Sequence, residues 1–221
     1  MPAAFSRRHL FQLAAGPLPL TRVLLGQQPA PADLPLPVYR YDRRATVAVV
    51  KGESRRKNIA DALEAIDEQI RPVLKRKKYV VIKPNFVSVT RQLAASHVDV
   101  MHGILDYLGP RFKGPVVIAE SSAGDTNVGY ENFGYTRLAA ERKSQKVSLV
   151  DLNREGKYEV IPLLSPDLHV QPVRLAARLL DPEAFILCAA CMKTHNVAVA
   201  TLSLKNMTLG APLHSAPNET P

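Results

Sequence analysis

Short runs of four or five apolar residues recur along this chain, separated by stretches of helical length. That alternation restricts the fold more than any other feature. The runs fall at residues 46–50, 79–82, 115–119, 147–150 and 184–187. They are too short for buried helices and rich in Val and Ile, so they read as strands covered on both faces. Between the first two, Ile59, Leu63, Ile66 and Ile70 recur at spacings of four, three and four. This is one helical face behind a Ser54 cap, with Pro72 expected to disrupt its end. Val98, Met101, Leu105 and Leu108 form the next face, entered through Ser96 and Asp99 as a capping box and stopped by Gly109-Pro110. A short helix is expected at 136–143 and an extended excursion at 157–175. The fold class is therefore α/β: a mostly parallel sheet with helices on both faces, Rossmann-like.

In an open parallel sheet, ligands bind beyond the carboxyl ends of the strands. Lys83, Asn85, Glu120, Ser122, Asp125, Asp151, Lys193 and His195 all follow strand ends, and right-handed crossovers bring those ends to one edge. In Lys83-Pro84-Asn85 the proline restrains both neighbours, presenting a cation and an amide that suit a carboxylate or phosphate oxygen. The same residues also fit a strand-end lysine reaching water beside a capping Asn. Lys205-Asn206 repeats the pair. Asp125, between Gly124 and Thr126, could hold a metal or sit in an Asx turn, and backbone amides of the same loop could hold a phosphate. Glu120 is a candidate base or metal ligand, and equally a surface carboxylate.

His195 is the leading candidate acid, base or metal ligand, because imidazole titrates near neutrality. Lys193 beside it would disfavour the imidazolium and help hold an anion, with Thr194 and Ser122 as further ligand contacts. His97, Asp125 and His195 make the candidate set for a divalent metal, although His97 also falls where a helix's first turn needs a backbone partner. The loop at 124–126 has neither Walker A nor G-x-G-x-x-G spacing, and Ser121 and Ser122 lie outside a G-x-S-x-G elbow. Nucleotide and serine-hydrolase chemistry therefore have no motif here.

The formal charge of +9 raises the question of nucleic acid. Much of the excess is local: Arg55-Arg56-Lys57 and Lys75-Arg76-Lys77-Lys78 flank the first helix, with no interleaved aromatics to stack bases. They read as a solvated helix rim, so the partner expected is a small anion and not nucleic acid. Residues 1–32 carry Arg7 and Arg8, an interrupted apolar stretch and the small residues Ala30-Pro31-Ala32. These features resemble a twin-arginine signal and imply periplasmic or extracytoplasmic export without a stable membrane span. Residues 33–45 read as a linker, 46–210 as the α/β domain and 211–221 as a flexible tail. Cys188 and Cys191 lack the further ligands of a tetrahedral zinc site and read as core residues, with an oxidised pair as the other reading.

Strand, Lys83-Pro84-Asn85, His97 after a small hydroxyl residue, Gly124-Asp125, Lys193-Thr194-His195 and Leu204-Lys205-Asn206 occur in that order. In this the chain resembles the family known as domain of unknown function 362, over about residues 46–210. Val98 and Cys191 stand where that family usually has proline at or near the position. The resemblance implies the α/β architecture and, through iron-sulfur modules attached to many members, a redox partner. The Cys-rich module itself is absent from this sequence, so an iron-sulfur cluster is not expected in this chain alone. The family's domain normally continues past the Lys-Asn motif, so a truncated or naturally short form is expected. The function expected is that of an enzyme of undefined reaction acting on a small anion or using a metal. The alternative is a noncatalytic binding module, the remnant of a longer protein.

Overall fold

The computed structural model describes residues 45–165, 167–196 and 198–214. Of the two units into which the chain divides, Met1–Ala45 and Thr46–Pro221, the fold concerns the second. The leader and most of the linker fall on residues 1–44, outside the described residues.

Ser54 starts the first helix as its side chain predicts, its hydroxyl accepting from the Lys57 N–H at 3.3 Å. The helix is not continuous: α1 (Arg55–Glu64) breaks at Ala65, and α2 (Asp67–Leu74) begins a new axis that carries Pro72 inside it. β1 (Tyr79–Lys83) follows, then α3 (Val98–Leu108), β2 (Val116–Glu120), α4 (Thr126–Asn132), α5 (Tyr135–Glu141) and β3 (Val147–Asp151). The excursion at 157–175 is an antiparallel hairpin of β4 (Tyr158–Leu164) and β5 (Val170–Ala176). The chain then returns as β6 (Ala184–Cys188), forms a small antiparallel pair of β7 (Lys193–His195) and β8 (Val199–Thr201), and reaches α6 (Ser203–Thr208).

The parallel sheet has the order β3-β2-β1-β6. Winding proceeds outward from β1 through β2 to β3, then jumps back to the other flank of β1. β1 thus has neighbours on both sides, and the apolar run at 46–50, expected as a strand, finds no edge of it to pair with. That run is irregular, with Val47 and Val49 facing solvent.

Alternate residues of each strand feed two cores. Val80, Ile82, Val116 and Ile118 meet Leu74, Met101, Leu105, Leu108, Tyr130 and Tyr135 from the helices on one face. Gly103 lets α1 lie close on α3, since a Cβ there would sit 2.5 Å from the Arg56 carbonyl. On the other face Val81, Val117 and Ala119 meet Ala176, Leu179 and, from α6, Met207. Ala211 and Leu213, assigned to the tail by composition, are buried in this second core, and the Leu213 N–H donates to the Arg174 carbonyl at 2.8 Å. Apolar side chains with a core to close are not a tail.

Candidate active site at the strand carboxyl ends

Register brings polar residues to the end of the sheet: Lys83 pairs with Cys188, and Glu120 with Asp151. Lys83 and Glu120 are fully buried together. The ammonium donates to Glu120 Oε1 at 2.9 Å, to Asn206 Oδ1 at 3.3 Å and to the Pro84 carbonyl at 3.4 Å. Its three donors are therefore taken inside the protein. Glu120 Oε1 also accepts from the Ser121 N–H at 3.0 Å, whereas Oε2 is buried without a hydrogen-bond partner. Burial pushes the Glu120 carboxyl above its ordinary range, and the Lys83 charge opposes the shift.

Asn206 is the hub of this cluster. Its Oδ1 accepts from Lys83 and from Asn85 Nδ2 at 3.0 Å, and its Nδ2 donates to the Pro84 carbonyl at 3.0 Å and to Cys188 Sγ at 3.3 Å. Cys191 Sγ contacts Asn85 Oδ1 at 3.9 Å. Each cysteine thus bonds to a different amide of the Asn85–Asn206 pair. Ser96, expected to cap α3, instead accepts from the Asn85 N–H at 3.0 Å and donates to the Ala189 carbonyl at 2.5 Å. It ties the exit of β1 to the exit of β6. The signal in sequence was its place beside His97; its partners are remote in the chain.

A cationic rim lies beside this buried cluster. Adjacent residues of a helix point in different directions, so Asn206 faces inward while Lys205 is half-buried toward the rim. Burial, then Lys193 and Lys83, lower the Lys205 pKa, and Glu120 partly offsets them. Lys193 donates to the buried Thr201 hydroxyl at 3.2 Å. Among the described residues, no ion pair involves Lys193 or Lys205. Burial, then Lys205 and Lys193, also hold His195 below the ordinary imidazole range. Its Nδ1 accepts from the Ala198 N–H at 3.1 Å, so the neutral ring carries its proton on Nε2. Thr194, between them on β7, is exposed.

The other candidates stand apart. Asp125 is the N-cap of α4, where a loop was expected; it accepts from the Asn127 N–H at 2.9 Å and pairs with Arg154 at 2.7 Å. His97 caps α3, its Nδ1 accepting from the Asp99 N–H at 3.2 Å. Capping explains both residue types, because helix starts leave N–H groups without partners. Ser122 is buried, its N–H bonded to Thr126 Oγ1 and its own Oγ without a partner. His97, Asp125 and His195 do not converge. Among the described residues no group of three or more His, Cys, Asp or Glu side chains could hold a metal ion.

Two hollows bear on the site. The larger, about 620 Å³, lies away from the strand ends between α1, α3 and α5; Arg56 and Arg142 there both pair with Asp106. Of its other charges, Glu141 pairs with Arg137 and Lys113 donates to the Gly109 carbonyl at 2.8 Å. The smaller, about 190 Å³, is lined by Ser96, His97, Ala189 and Cys191 and adjoins the Asn85 cluster.

The family model described as domain of unknown function (DUF362) matches residues 80–219. The chain belongs to that family. The match takes in Lys83, Glu120, Lys193, His195 and Asn206, so the whole buried cluster and its rim fall within the family's domain. No curated protein and no solved structure shows significant similarity to the chain.

Proposed function

We propose that this protein binds a small anion, carrying a carboxylate or phosphate, at the crevice between the carboxyl ends of β1 and β6, and acts on it as an enzyme. The observation that carries this reading is the pair of cations Lys193 and Lys205, without carboxylate partners among the described residues, at the point where the strand order reverses. In open α/β sheets that reversal opens the ligand crevice. Lys193 and Lys205 grip the anion. His195, neutral with its proton on Nε2, donates to it and exchanges that proton. Lys83, Glu120, Asn85 and Asn206 are positioning residues that hold β1, β6 and α6 in place. The reading includes export by the twin-arginine-type leader, and electron exchange, where the reaction needs it, with a separate redox partner.

Calorimetry of the full chain with phosphate, sulfate and citrate tests the binding. Affinity falls with ionic strength, and Lys193→Ala or Lys205→Ala weakens it by about tenfold each, as expected for a lost charge-assisted hydrogen bond. Because a bound anion raises the His195 pKa, binding takes up protons just below neutral pH, and His195→Gln abolishes the uptake. Absence of binding, or lysine variants that bind like the wild type, would refute the site. Binding without turnover in a reaction screen would leave the noncatalytic module as the function.

A further inference from the structure

One face of the β4–β5 hairpin is apolar and exposed over most of its length. Residues two apart on a strand share a face, so Tyr158, Val160, Pro162 and Leu164 stand with their register partners Ala176, Arg174, Pro172 and Val170; only the Ala176 end is closed, buried in the second core. Tyr158 is 47% exposed, Val160 58%, Leu164 69% and Val170 64%, with Leu168 at 78% in the adjoining turn. On the opposite face Ile161 and Val173 are half-buried and Leu175 packs into the second core, while Glu159, Leu163 and Gln171 are exposed and make that face mixed in polarity. The outer face carries no carboxylate among the described residues. Its one charge, Arg174, lies over the Tyr158 ring at 5.5 Å.

The two prolines restrict how a partner can approach. Proline has no N–H to give a ladder, so the facing Pro162 and Pro172 form a non-hydrogen-bonded pair. The donor each lacks would have pointed outward along its strand's edge. Strand addition along β4 therefore meets a gap at its midpoint. Packing on the face meets none.

We propose that this face is the interface between two copies of the chain, stacked hairpin on hairpin about a two-fold axis at the Pro162–Pro172 pair. The area fits: at these exposures the apolar side chains offer roughly 700 Å², close to the ~800 Å² per partner of a standard stable interface. The chemistry fits as well. An axis through the prolines sets the Leu164 and Val170 end of one copy on the Val160 and Tyr158 end of its partner. It also keeps the two Arg174 side chains on opposite sides of the axis, each over its own Tyr158, so no like charges meet. The inference is independent of the anion site.

Sedimentation velocity and light scattering of the full chain over a concentration series test it. The wild type dimerises at micromolar concentration. The double variant Val160→Lys/Leu164→Lys, which sets cations into apolar contact, weakens self-association by at least about a hundredfold. Its circular dichroism and melting stay unchanged, because both side chains are exposed. A wild type that is monomeric throughout, or a dimer indifferent to both lysines, overturns the proposal. A monomer that binds lipid vesicles through this face overturns it too and assigns the face to a membrane.

Discussion

Lys83 and Glu120 exist in the interior only as a pair. Removing one partner from such a pair leaves a charge without water or counter-charge, which costs about 3–5 kcal/mol. Lys83→Met should therefore lower stability by about that amount, while Lys83→Met/Glu120→Gln regains most of it in urea denaturation; additive losses would show that the two do not act together. The pH dependence has a defined sign. Burial raises the Glu120 carboxyl above its unfolded value, so the folded state binds that proton more tightly. Stability is then highest below the ordinary carboxylate range and declines as pH rises through the folded value. Urea midpoints of Glu120→Gln should lack that decline. The lysine and the glutamate were each visible at a strand end, but their mutual contact was not. Residues 37 apart in sequence meet because β1 and β2 share a register, and an expected ligand-gripping lysine became an internal one because its donors found acceptors there.

At the scale of elements, the break between α1 and α2 shows where periodicity misleads. Ile59, Leu63, Ile66 and Ile70 keep helical spacing across it, because both helices turn apolar residues toward the same core. What fixes the second axis is Asp67 in the first turn of α2. Its carboxylate accepts from the Tyr107 hydroxyl at 2.7 Å and from Arg111 at 2.6 Å, and pairs with Arg71. The Tyr107 hydrogen bond, then those with Arg111 and Arg71, lower its pKa to about 2. A depressed carboxylate stabilises the fold above its unfolded pKa and loses that contribution as pH falls through about 2. Asp67→Asn should accordingly melt several degrees lower at neutral pH, with the gap to wild type closing in acid. A gap that persists in acid would trace the loss to packing. The capping box failed for a related reason: Ser96 had a better pair of partners in the β1 and β6 exits, which left His97 to cap α3.

For the whole molecule, the decisive feature is the order β3-β2-β1-β6, which opens the sheet's crevice beside β1 and delivers β7, β8 and α6 to it. Export belongs to this scale as well. Replacing Arg7 and Arg8 by Lys should abolish periplasmic accumulation in a bacterial host and leave precursor in the cytoplasm. A wild-type chain found only in the cytoplasm would end that reading. Local patterns carried the strand-helix alternation, four of the five core strands and the polar residues at their ends, since burial on two faces and a helical stripe are properties of neighbouring residues. Pairing is a property of distant ones. The Asx turn at Asp125 and the first-turn partner at His97 were among the local readings, since each accepts from an N–H two residues on. Tertiary contact alone decided that residues 46–50 stay outside the sheet and that Asn206 becomes the hub. β1 is flanked on both sides and leaves residues 46–50 no place beside it, and a buried amide settles where every one of its bonds can be met.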